Sequence, residues 1–473
     1  MRKYIVALSL AALGLGACKD STSVPDLNNP SVESVGGVLD RGNLQTLITG
    51  VLDQERRSIG YPFAVFPGTL ARDVWRLDNS EARFETETLE LPPAPGGFLA
   101  GGFVFYYVAI RAENNLLAAL PKATNDFSAG DKAAISGFVK TLKANDFYRV
   151  LETRDSLGLP VAVDDPNTLA PIACKPKVLA YLSALLDSAY ADLQAAQNGG
   201  TTTFPATLPS GWTSVGGDYS QIANLIKYNR GLAGKVLVYR GLDHSQPDPT
   251  AFSAAISALD IALAGDPGTA ASLNAGPYFQ FSTASGEFAN PLFDSRIHFT
   301  PSVFDSLQSG DKRGWKVYTR ADSATLNVDG VHFATLYDPA VSITSNAANQ
   351  TRPIAVIRNE ELYLLRAQAK IGAGDLAGAT ADLNVVRTVA GGLPPYPVFT
   401  SAAAAINALL YEKRYSLLME GPQRLVDLRA YSRLNSQSFP PGVLSPYPND
   451  PFNSVLPYPQ AEIDARKGNL ACQ

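Results

Sequence analysis

Along most of the chain, apolar residues recur at spacings of three and four, the period of a helix with one buried face. The pattern predicts helices over 44–57, 103–120, 129–150, 177–197, 219–240 and 250–264, and again over 354–371, 376–390, 401–419 and 424–434. Ile110, Leu116, Leu117 and Leu120 show the stripe in the second of these. The two helical blocks are separated by 265–352, where Pro, Gly, Asn and Thr crowd together with aromatic residues and short β-type runs such as 328–336. A stretch of that length is too long for a plain loop and is expected to pack as a loop-rich insertion subdomain.

Within the second block, Ala367 is followed by a Gly374-Asp375 turn and then by Ala379, with Leu383 and Val386 continuing the inner face. Small residues at those places let two helices approach closely, and the spacing resembles a tetratricopeptide repeat. The fold class is therefore read as mainly α, a tetratricopeptide-like scaffold of helical pairs, roughly three to four of them, interrupted by the insertion. An unrelated helical bundle is the alternative.

The start of the chain follows another pattern. Arg2 and Lys3 precede an almost unbroken apolar run from Tyr4 to Leu15, shorter than the roughly 20 residues a membrane span needs. That is the layout of a secretory signal. Leu15-Gly16-Ala17-Cys18 resembles a lipobox, in which the cysteine sulfur receives a lipid and the preceding peptide is cut. This gives a signal peptide over 1–17, a lipidated segment over 18–43, an N-terminal helical repeat block over 44–264, the insertion over 265–352, and a C-terminal helical block with tail over 353–473. Several acyl chains on Cys18 anchor far more firmly than one, since each buried methylene contributes roughly 0.8 kcal/mol. No later segment is apolar enough to span a bilayer, so the expectation is a chain anchored to the membrane by lipid.

Removing Arg2 and Lys3 with the signal takes two positive charges from the chain's −5 and leaves −7. A mildly acidic chain argues against nucleic acid as a partner. With Cys18 assigned to lipid, only Cys174 and Cys472 of the three cysteines remain, and an oxidising compartment permits them to pair. Two unpaired buried thiols are the alternative. His244, His298 and His332 show no ligand spacing with each other or with a cysteine, so no metal and no other cofactor is expected.

No GxSxG elbow, HExxH pair or phosphate-binding glycine loop is present, and no catalytic residue is assigned. Glu412, Arg414, Glu420 and Asp427 lie at helical spacing among basic neighbours, as on a solvated or ion-paired helix face. For ligand binding, aromatic side chains in loops are the natural candidates, because flat rings stack on the apolar faces of sugars. They are Trp75 in 72–79, Tyr278, Trp315 and Tyr318 in the insertion, and Trp212 in a Pro/Gly/Thr-rich loop. For each, a place in the core or on a partner-contact surface is the competing role.

The C-terminal block resembles the SusD/RagB family. Arg358-Asn359-Glu360-Glu361-Leu362-Tyr363-Leu364-Leu365-Arg366-Ala367 is similar to the family's RxAEvyLlrAEA helix, and Asn384, Arg387, Ala390 and Gly391 match its NxvRxrAG ending. Glu412, Arg414, Leu417, Glu420-Gly421, Arg424 and Asp427-Leu428 follow its ERRxELxxEGxRxxDLxR run, and Pro457-Tyr458-Pro459-Gln460-Ala461-Glu462-Ile463 its PIPxxEI segment. Asp311-Lys312-Arg313 looks like its DxR motif. Upstream, Asp26-Leu27-Asn28-Asn29-Pro30 and Tyr107, Ile110, Ala112 and Asn115 look like its opening strand and first repeat helix. Ser416 departs from the usual glutamate, and Arg424 stands one residue late, which rotates it about 100° around the helix and leaves open whether it pairs with Asp427.

The resemblance implies a non-enzymatic, cell-surface nutrient-binding lipoprotein of the outer membrane. Its ligand is then an oligomer, a glycan first, and its partner a SusC-like TonB-dependent outer-membrane transporter. A helical-repeat scaffold for outer-membrane or envelope assembly is the alternative. The aromatic-rich insertion favours the first, since a scaffold needs none.

Overall fold

The computed structural model describes residues 38–322, 325–439, 446–447 and 451–473. The signal segment, Cys18 and the Asp26–Pro30 motif lie outside them. Ten longer helices carry the architecture: α1 (Arg41–Arg57), α2 (Phe103–Ala119), α3 (Ala129–Arg154), α4 (Lys175–Asn198), α5 (Ile222–Gly241), α6 (Thr250–Ala262), α7 (Asn359–Gly372), α8 (Leu376–Val389), α9 (Ala402–Ser416) and α10 (Gln423–Ala430). Several begin where the sequence supplies a cap that satisfies an orphan backbone N–H. Asp40 accepts from the Asn43 N–H at 2.8 Å, Ser128 and Asp131 form a capping box on α3, and Asp375 accepts from the Gly378 N–H at 2.8 Å.

The helices pack in sequential pairs, α3 against α4, α5 against α6 and α7 against α8, as stacked repeats do. Ala367 and Ala379 are fully buried where α7 meets α8, and Gly374, at φ +84°, closes the turn between them in a conformation that favours glycine. Gly137 does similar work inside α3: a Cβ there would stand 2.7 Å from Leu193 of α4. The two helical blocks join through α7, which packs on both α5 and α6.

The predicted helix over 354–371 starts later. Ile354–Ala355 instead forms a short strand antiparallel to Tyr278–Phe279, and Arg358 is still extended at φ −142°. A buried apolar run of four satisfies strand and helix patterns alike, so periodicity could not separate them. The helix expected to reach 419 ends at Ser416, because Met419 and Gly421 turn the chain with φ of +63° and +136°.

The stretch 265–352 is tied into its surroundings. Ile297–Phe299 pairs antiparallel with Val74–Arg76, placing Trp75 opposite His298. Val317–Thr319 pairs with Tyr337–Pro339, and Thr325–Val328 with Val331–Ala334 forms the hairpin. Cys174 and Cys472 are joined in a disulfide across a separation of 298 residues, and beside it the Gln473 N–H donates to the Ile172 carbonyl at 2.9 Å.

The charged motif of the C-terminal block is ion-paired but not solvated. Glu412 is fully buried between Arg387 and Arg313, at 3.0 and 2.6 Å. Asp427 pairs with Lys413 at 2.8 Å, while Arg414 holds Asp73 at 2.6 Å. Arg424 lies 3.7 Å from Asp73 rather than against Asp427. Pairing is what makes such burial tolerable, since an isolated buried charge costs several kcal/mol.

Candidate ligand-binding site

Five aromatic residues stood out in the sequence, and the structure separates them by burial. Trp75 is 4% exposed, with Phe333 edge-on at 5.2 Å and Leu77, Leu89, Val328 and Tyr447 around it. Trp212 is 3% exposed and sits perpendicular to Phe138 and Tyr228, each at 5.2 Å. Both readings are corrected here: a ring enclosed on all sides offers no face to a ligand, and these two are core residues. Trp315 is 61% exposed, an unusual position for the largest apolar side chain. Tyr318 is also exposed but does not line the cavity that Trp315 lines.

That cavity has a volume of about 440 Å³ and brings Trp315 together with Tyr278. Its walls come from the loop before Tyr278–Phe279, from the 312–316 turn, and from the segment around Ile354–Ala355. Apolar wall from Leu273, Val341 and Ile354 alternates with Asn274, Arg352 and Arg358. A mostly apolar hollow with a few convergent polar groups is the usual form of a small-ligand site.

The polar groups are held in place by their neighbours. The Arg352 guanidinium lies 5.4 Å from the Trp315 ring centroid and makes no ion pair among the described residues. Its donors are therefore open to a ligand's hydroxyl or carboxylate oxygens. The Tyr278 hydroxyl donates to the Asn274 carbonyl at 2.8 Å, and burial pushes its pKa up to about 12. Arg358 holds Glu420 at 2.8 Å and donates to the Ser416 carbonyl at 2.8 Å, and Lys316 reaches the other side of Glu420 at 2.8 Å. Burial pushes the Glu420 carboxyl up, but Arg358 and Lys316 outweigh it and hold the group at about 2.

Behind Trp315, the Asp311-Lys312-Arg313 motif forms the support of the turn. Arg313 binds Asp311 at 2.7 Å and donates to the Ser416 hydroxyl at 3.0 Å, and Tyr411 donates to Asp311 at 2.7 Å. The serine at 416 thus keeps a hydrogen bond to the arginine where a carboxylate would have made an ion pair. The turn over Lys312–Lys316 is pinned at its first residues, which fixes the position from which Trp315 projects.

Sequence reasoning missed Arg352, Arg358 and Asn274. Arg352 carried one usable signal, an arginine beside Pro353 where the loop-rich stretch meets the helical block. Arg358 belonged to a family motif but gave no sign of facing a cavity.

The SusD family model matches residues 308–470, the part of the chain that holds the Trp315 turn and the C-terminal motifs. No curated protein matches the chain. Among solved structures, a SusD superfamily protein from Parabacteroides distasonis superposes with a TM-score of 0.65 at 13% identity, covering 91% of this chain and 98% of its own. A SusD homolog from Bacteroides thetaiotaomicron gives 0.65 at 12% identity, over 91% and 96%. Surface glycan-binding protein A from the same species, solved in complex with laminarihexaose, gives 0.62 at 14% identity, over 90% and 98%. At these identities the likeness is one of fold.

Proposed function

We propose that this chain, whose residues 308–470 match the SusD family model and whose fold is that of SusD superfamily proteins, captures an oligosaccharide at the cell surface and passes it to a TonB-dependent transporter of the outer membrane. The observation that carries the reading is Trp315, 61% exposed at a cavity that also holds Tyr278 and the open guanidinium of Arg352. An exposed indole gives a sugar ring a flat apolar platform, and an arginine beside it can fix the hydroxyls at the ring's edge. The laminarihexaose held by one protein of the same fold supports a glycan as the ligand class.

Binding, rather than turnover, fits the cavity. Its two carboxylates, Glu420 and Glu360, are both paired with Arg358, and Arg358 with Lys316 keeps Glu420 ionised. Anchoring through lipid at Cys18 would keep the protein beside its transporter, and no described helix is long and apolar enough to cross a membrane.

The experiment is calorimetric titration of the mature chain, freed of its lipid, with a panel of oligosaccharides. Trp315→Ala is expected to weaken binding several-fold to about a hundredfold while the melting temperature stays near the parent's. Unchanged affinity in Trp315→Ala counts against this cavity as the site.

A further inference from the structure

A second site is built into the helical core, away from the aromatic cavity. Glu55 of α1, Glu113 of α2 and Asp146 of α3 are 3%, 0% and 1% exposed, and each places a carboxylate oxygen within 4.8 Å of the other two. Both oxygens of Glu113, Oε1 of Glu55 and Oδ2 of Asp146 have no hydrogen-bond partner. The nearby cations are engaged elsewhere: Arg149 with Glu152 at 3.0 Å and the Val356 carbonyl at 2.8 Å, Lys143 with Asp164 at 2.8 Å. Buried carboxylates normally find a cation or donors, because leaving them bare is costly.

An independent observation comes from α5. The Tyr228 hydroxyl is buried, has no hydrogen-bond partner, and lies near enough to Glu55, Asp146 and Glu113, and to Arg149, for their charges to act on it. Three helices thus bring carboxylates to one point, and a fourth places an unpartnered hydroxyl within reach of their charge.

We propose that Glu55, Glu113 and Asp146 ligate a hard divalent cation of the calcium class, with the Tyr228 hydroxyl as a further oxygen. Oxygens that surround one ion at about 2.4 Å can be no more than about 4.8 Å apart, which is the spread found here. An all-oxygen donor set disfavours soft metals. Carboxylates that bind through one or both oxygens, with the hydroxyl, reach the roughly six to eight ligands calcium takes, whereas magnesium retains waters that this closed site has little room for. The ion would tie α1, α2, α3 and α5 together at the heart of the first block.

The test uses the mature chain, unfolded in guanidinium with EDTA and refolded in metal-free buffer, then given CaCl2. Mass spectrometry for metals is expected to find about one calcium per chain after gel filtration. The melting temperature should rise by about 4 °C when free calcium exceeds its Kd about a thousandfold. Glu113→Gln should lose the bound calcium, and Tyr228→Phe, which keeps the core's shape, should weaken its retention. No retained metal and no thermal shift with CaCl2, MnCl2 or MgCl2 would overturn the site. Full calcium retention in Glu113→Gln, or in Tyr228→Phe if the first variant does not fold, would overturn the assignment of these ligands.

Discussion

At Trp75 the indole meets Phe333 edge-on at 5.2 Å inside a closed cluster, so Trp75→Ala is expected to cost about 3 to 5 kcal/mol and to lower the melting temperature clearly. Trp315→Ala, at a position 61% exposed, should leave it nearly unchanged, and thermal denaturation of the two variants side by side checks the contrast. The sequence marked both residues as aromatic in loop-like segments, but it could not tell them apart. Trp75 is covered by Phe333 and Tyr447, far along the chain, and Trp315 is left uncovered because its turn is pinned from behind by Arg313. Glu420 carries a prediction of its own. Arg358 and Lys316 hold its carboxyl at about 2, below the ordinary 4.5, so it stabilises the fold fully above about pH 4.5 and loses that contribution as pH falls toward 2. Melting temperature should drop over that window, and the drop should be shallower in Glu420→Gln, measured relative to its own value at neutral pH.

Among the elements, the helices were the most legible part because a long 3.6-residue stripe has few other meanings. The boundary near 354 slipped for a reason outside its own segment. Ile354–Ala355 is extended because it pairs with Tyr278–Phe279 and feeds Arg358 to Glu420, contacts that no local pattern encodes. The candidate cavity was half legible for the same reason, its aromatics visible and its arginines hidden in motifs that read as helix packing. The buried triad left a faint trace: Glu113 follows Ile110 by three residues and Glu55 follows Val51 by four, acids placed on apolar stripes. The disulfide fastens the C-terminal tail to the start of α4. Replacing both Cys174 and Cys472 with serine should lower stability by up to about 6 kcal/mol in the chain-entropy model. Calorimetric unfolding of the double variant checks this, and a melting temperature equal to the parent's would mean that the tail's own contacts suffice.

At the scale of the whole molecule, the helical scaffold holds the Trp315 cavity, and a lipid on Cys18 is proposed to tether it to the membrane. Anchoring is expected to hang on a single sulfur, so Cys18→Ser should move the protein from the membrane to the soluble fraction, and protease applied to intact cells should remove the unmodified protein if it faces outward. The central claim is that Trp315 binds sugar, and the chain's three tryptophans offer a direct reading of it. Trp75 and Trp212 are enclosed, so a ligand stacking at the cavity should perturb the emission of Trp315 above all. Titrating the mature protein with a panel of oligosaccharides while following tryptophan fluorescence is predicted to give a saturable change with at least one glycan, and that change should vanish in Trp315→Ala. A panel without any saturable change, or the same change in Trp315→Ala, would contradict it.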